Sequence, residues 1–113
     1  MKTILIVSPD PETSRMLTLA FELDGWKVRT AATIDSASKS VSADLILFDM
    51  AEGSNAFKKD DFTKVPSKAR VMVIPPRGMD EEDVKQVAPN ADLVMPKPFE
   101  LMHLVRTAGE MTA

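Results

Sequence analysis

Three short runs in this chain are apolar without a break: Ile4-Leu5-Ile6-Val7, Leu45-Ile46-Leu47-Phe48 and Val71-Met72-Val73-Ile74. A strand with one wet face alternates apolar and polar residues, whereas a strand covered on both faces reads as continuously apolar. Such strands belong in a parallel sheet with helices packed on both sides, joined by right-handed crossovers. The stretches between the runs supply those helices.

Asp10-Pro11-Glu12 opens the first helix, with Asp10 suited to the N-cap, Pro11 to the first helical position and Glu12 to the positive end of the dipole. Met16, Leu19, Ala20 and Leu23 recur at helical spacing and are expected to form its buried stripe. Gly25 marks its end. Trp26 to Ala31 alternates and reads as a second, more exposed strand, with Trp26 covering the rim of the core. Ile34, Ala37 and Val41 mark a second helix, and residues 53–64, with Phe57 and Phe62, read as a short, poorly amphipathic one.

The fourth strand, Arg70 to Ile74, is stopped by Pro75-Pro76. Acid at 80–83 loads a helix N-terminus whose stripe is Val84, Val87 and Ala88. Leu93-Val94-Met95 is the fifth strand, and Leu101, Leu104, Val105 and Ala108 line a last helix. Met72, Met95 and Met102 fit core or near-core stripes, Met79 a loop, and His103 the exposed flank of the last helix. The expected fold class is α/β, a doubly wound five-stranded parallel sheet. We expect a single domain over residues 1–113, without linker, repeats or output domain.

Composition removes several function classes. A chain of 113 residues that is 44% hydrophobic and 27% charged has the balance of one soluble globular domain. It has no cysteine and one histidine, so disulfides and thiolate chemistry are excluded and a transition-metal site is disfavoured. Cysteine-free composition suits a reducing cytoplasm. A net charge of −3 with a pI near 5.1 argues against nonspecific nucleic-acid binding. The apolar runs are strand-sized, too short to span a membrane, and the first residues are too short for a signal peptide.

Chemistry concentrates at two residues. Asp49 ends the third run, and Lys97 follows the fifth in Met95-Pro96-Lys97-Pro98-Phe99. Open α/β sheets place their chemistry at the carboxyl ends of the strands, where this carboxylate and amine can converge.

With these landmarks the chain resembles the receiver domain of bacterial two-component response regulators. The carriers are the strand ending in Asp49, the tripeptide Lys97-Pro98-Phe99 with Ala91-Asp92 before it, and the opening Ile4–Val7 with Asp10-Pro11 close behind. The resemblance covers essentially the whole chain. It implies the flavodoxin-like strand order 2-1-3-4-5, Asp49 as phosphoacceptor position and Lys97 as phosphoryl contact, often before a cis proline bond.

The chain also departs from that pattern. Ser8 and Pro9 stand at the positions of the family's Mg²⁺-holding acid pair. Pro75 replaces the Ser or Thr after strand four, and Val94 replaces the aromatic switch residue. Phosphoryl transfer to a carboxylate depends on cations that offset the incoming charge. Asp49 as the sole carboxylate, with a carbonyl near Ala51, is expected to bind Mg²⁺ weakly at most. Pro75 offers neither a side-chain nor a backbone donor.

The reading that follows is a degenerate receiver, not an enzyme, with phosphorylation lost or vestigial and no resident cofactor. Asp49 and Lys97 are expected to pair nearly alone. Such a module acts through protein contact, with a histidine kinase or a downstream signalling protein as partner. Homodimerisation is expected through the 80–88 helix, the fifth strand and the last helix, with Arg77, Met79, Met95 and Arg106 on the contact surface. One alternative is a working phosphoacceptor at Asp49. Another is a small doubly wound cofactor binder. Ser8-Pro9-Asp10-Pro11 serves the latter poorly, because two prolines there donate nothing to a phosphate.

Overall fold

The computed structural model describes residues 1–34, 42–50, 62, 64, 65 and 68–113. Five parallel strands form one sheet: β1 (Thr3–Val7), β2 (Lys27–Ala31), β3 (Leu45–Asp49), β4 (Arg70–Ile74) and β5 (Leu93–Val94). Their order is β2-β1-β3-β4-β5, as expected from the sequence. Three helices are described: α1 (Pro11–Leu23), α2 (Glu81–Val87) and α3 (Leu101–Met111). The expected helix through Ala37 and Val41, and nearly all of the expected 53–64 helix, lie outside the described residues.

The apolar runs resolve into two cores through the two-residue period of a strand. Ile4, Ile6, Leu45, Leu47, Met72 and Ile74 face one way and pack with Leu17, Phe21, Leu104, Val105 and Ala108 of α1 and α3. Leu5, Val7, Ile46, Phe48, Val71 and Val73 face the other way and pack with Ile34, Phe62, Val84 and Ala88. Phe48 and Phe62 have ring centroids 4.6 Å apart. The outer strand β2 is largely exposed. At its entry Trp26 is buried, edge-on to Phe21, with its indole N–H donating to Asp24.

The caps follow the local chemistry. Asp10 accepts from the Glu12 amide and from the Thr13 hydroxyl. The Thr13 bond is the main reason its carboxyl is held below the ordinary carboxylate range, with nearby Lys97 adding a smaller pull in the same direction. Gly25 closes α1 at φ +90°, the left-handed position that glycine occupies without a Cβ clash. At α2 the acid cluster is more specific than dipole complementation. Asp80 accepts from the Asp83 amide, and Asp83 accepts from the Asp80 amide, which makes a reciprocal capping box.

Of the expected stripe on the first helix only Ala20 is buried, because the helix is turned toward Leu17 and Phe21. Leu17, Ala20 and Phe21 are buried, while Met16 is 43%, Leu19 57% and Leu23 89% exposed. Both triplets have helical spacing, so periodicity alone does not choose between them. The packing of Leu17, Ala20 and Phe21 with Ile4, Ile6, Leu45 and Leu47 of the sheet settles the rotation. Met102, expected near the core, is likewise 55% exposed, since Leu104, Val105 and Ala108 take the inner face of α3.

Candidate functional site

The parallel register delivers the site. Val7 is opposite Phe48, and Asp49 is opposite Ile74. The residues following β1 and β4, Ser8 and Pro75, therefore flank Asp49 at the carboxyl edge of the sheet. Val94 pairs with Val73, and three residues later Lys97 reaches back across the end of β4. Ser8, Asp49, Pro75 and Lys97 thus meet at one edge although they are scattered over ninety positions of the chain.

Asp49 is 2% exposed. The Ser8 hydroxyl donates to its Oδ2 at 2.7 Å. Its Oδ1 is buried and accepts no hydrogen bond, but faces the Lys97 ammonium at 3.7 Å. The Lys97 side chain is partly exposed, and the Lys97–Pro98 peptide is cis. The Ser8 oxygen also accepts from the Asp10 amide at 3.1 Å. Serine thus links the start of α1 to the buried carboxylate.

The expected pairing of Asp49 with Lys97 is present, but the two do not stand alone. Ser8 is the partner that sequence reasoning missed, since it was read only as a position where an acid is absent. The signal was available: a hydroxyl one residue past β1 lies beside a carboxylate at the end of the adjacent β3.

No protein-family model and no curated protein matches the chain. Solved structures do. A CheY-like response regulator receiver domain protein from Methanospirillum hungatei has a TM-score of 0.81 at 21% identity, covering 99% of this chain and 94% of that one. The fold is that of a receiver domain. Response regulator TrrA from Thermotoga maritima, in complex with Mg²⁺ and BeF, has a TM-score of 0.78 at 21% identity, covering 98% and 99% of the two chains. A protein from the streptococci, of a family of redox sensors that evolved from two-component response regulators, has a TM-score of 0.80 at 18% identity. There 99% of this chain spans 51% of that one.

The receiver fold raises the question of Mg²⁺. That ion needs several hard oxygen ligands in near-octahedral array. Among the described residues no group of three or more acidic, histidine or cysteine side chains comes together. At the crevice Oδ2 of Asp49 is engaged by Ser8, Oδ1 faces an ammonium, and the Asp10 carboxylate caps α1. Among the described residues the crevice offers one carboxylate oxygen without a hydrogen bond, Oδ1 of Asp49, which is too few hard ligands for a tightly held divalent cation.

The other residues singled out in the sequence divide. Pro9 is exposed beside Ser8, Pro75 is buried at the end of β4, and Val94 is half-buried in the second core. Arg77 is exposed in the turn after β4, and Met79 is half-buried against that core. Met95 cannot serve as contact surface as placed: it is 8% exposed and packs in the α1–α3 core. Arg106 is exposed on α3, one turn beyond Met102. The four expected contact residues therefore do not make one patch.

Proposed function

We propose that this protein is a receiver-type signalling module that acts through contact with another protein, with phosphorylation at Asp49 lost or vestigial. The single observation that supports this most is the Ser8 hydroxyl bonded to Asp49 at 2.7 Å. The Asp49 carboxylate has a neutral donor on Oδ2 and an ammonium 3.7 Å from Oδ1, and among the described residues no set of three acidic, histidine or cysteine side chains gathers there to share a metal.

The same arrangement weakens the coupling of such a site to its surroundings. A ligand shifts a conformational equilibrium only through contacts that differ between the two states. Pro75 has no donor to follow an incoming oxygen, and Val94 has no polar tip to swing. What remains is a fixed surface, read by a histidine kinase or by a downstream signalling protein in the cytoplasm. Arg77 and the half-buried Met79 mark that surface after β4. The streptococcal redox sensors offer a precedent for a response-regulator descendant with a different task. A thiol switch is ruled out here by the absence of cysteine.

The alternative of a working phosphoacceptor is tested by incubation with a small phosphodonor and Mg²⁺, followed by intact-mass measurement. The Thermotoga regulator, whose structure contains Mg²⁺ and BeF, is the positive control. No stoichiometric gain of a phosphoryl mass is expected here. A gain that maps to Asp49 and disappears in Asp49→Asn would overturn the proposal.

A further inference from the structure

Five large hydrophobic side chains are exposed among the described residues: Met1, Met16, Leu19, Leu23 and Met102. Four of them line one shallow groove of about 490 Å³ between α1 and α3, together with Ala20, Leu101 and the charged Glu12 and Arg15. Isolated exposed apolar residues are ordinary, but four gathered on one surface mark a contact site. Among the described residues no exposed large hydrophobic side chain lies on the face around Arg77 and β5, where the sequence placed a dimer seam.

The charges around the groove identify its occupant. Arg15 and Glu22 are exposed and seven residues apart on α1, so they lie on the same flank of the Met16–Leu19–Leu23 stripe, roughly 10 Å apart along the axis. Neither has an ion pair within the chain among the described residues. If a second α1 crosses antiparallel, each Arg15 falls beside Glu22 of the other copy, and the stripes meet between them. A parallel crossing puts the two copies of this flank on opposite sides of the seam and forms no Arg15–Glu22 pair. The surface is therefore complementary to itself under a twofold axis, which is the requirement of an isologous dimer.

We propose that the protein self-associates through α1 and the adjoining edge of α3, as a twofold dimer with antiparallel α1 helices and reciprocal Arg15–Glu22 pairs. This leaves the carboxyl edge of the sheet and the turn after β4 open, so it goes beyond the signalling reading and does not depend on it.

Sedimentation velocity and light scattering on the full chain test it. At about 100 μM the expected mass is twice the 12.4 kDa of one chain. Arg15→Glu and Glu22→Arg, each alone, should weaken the dimer about tenfold or more, because each sets like charges together twice. The double variant R15E/E22R should restore the dimer to within a few-fold of wild type. All three positions of the seam tested this way are solvent-facing, and Leu19→Glu should give a folded monomer with unchanged circular dichroism. A wild-type chain that stays monomeric up to about 1 mM would overturn the proposal and leave the groove to a different protein. A dimer indifferent to both charge reversals would overturn it too, by placing the seam elsewhere.

Discussion

Lys97→Met is expected to destabilise the protein by about 2–3 kcal/mol, read as a fall in melting temperature of roughly 10–15 °C. The cost arises at Asp49. Its Oδ1 is buried without a hydrogen bond, and the ammonium at 3.7 Å is the cation that faces it. Without that cation, a buried carboxylate is left with one neutral side-chain donor among the described residues, Ser8. The partial exposure of Lys97 places the effect below the upper end for wholly buried pairs, because water can enter where the lysine stood.

The pair is also asymmetric. Asp49→Asn removes the charge that is costly to bury and leaves Lys97 able to reach water, so its cost should be the smaller of the two. Adding Asp49→Asn to Lys97→Met should recover most of the lost stability, since no charge then remains buried. Chemical denaturation of the four proteins provides the cycle. Equal and additive losses would mean that the two groups do not sense one another.

The second large effect distinguishes the two stripes of α1. Leu17→Ala is expected to cost about 2–5 kcal/mol, because Leu17 is wholly buried against the sheet and truncation leaves a cavity. Leu19→Ala, two residues away, should change stability by about 0.5 kcal/mol or less. The comparison is made at low micromolar concentration, where the contact with a second copy does not contribute. A reversed order would mean that the helix is rotated by about half a turn from the arrangement described here.

That rotation marks where the sequence stopped being informative. The strands were legible because Ile4–Val7, Leu45–Phe48 and Val71–Ile74 are strand-length apolar runs alternating with helical stretches, the pattern of a parallel sheet covered on both faces. The strand order was legible from the resemblance to receiver domains, and the register follows from packing the same residues. In α1, by contrast, Met16-Leu19-Leu23 and Leu17-Ala20-Phe21 are both apolar at helical spacing. Which set turns inward is decided by the packing of Leu17, Ala20 and Phe21 with Ile4, Ile6, Leu45 and Leu47 of the sheet, long-range contacts that no local pattern contains.

The site was legible in the same uneven way. Asp49 and Lys97 announce themselves at strand ends, and the sheet brings them together. Ser8 was visible as a departure from a pattern but not as a donor, because its hydrogen bond depends on the pairing of β1 with β3. Met95 was read both as core and as surface. The structure resolves this in favour of the core, since its amide continues the β4–β5 ladder by donating to Val73 and its side chain packs beneath α3. The Asp80–Asp83 capping box was concealed within a run of acids that looked like simple dipole complementation.

The proposed loss of phosphorylation requires that one carboxylate, that of Asp49, bonded to serine and facing lysine, hold a divalent cation too weakly to use it. Titration of the ¹⁵N-labelled protein with Mg²⁺, followed through the amides of Ser8, Asp49 and Met50, tests this most directly. The expected result is no saturable shift up to about 10 mM, a range in which a site with several carboxylate ligands would fill. Saturable shifts at those three amides at or below about 1 mM, absent in Asp49→Asn, would contradict it.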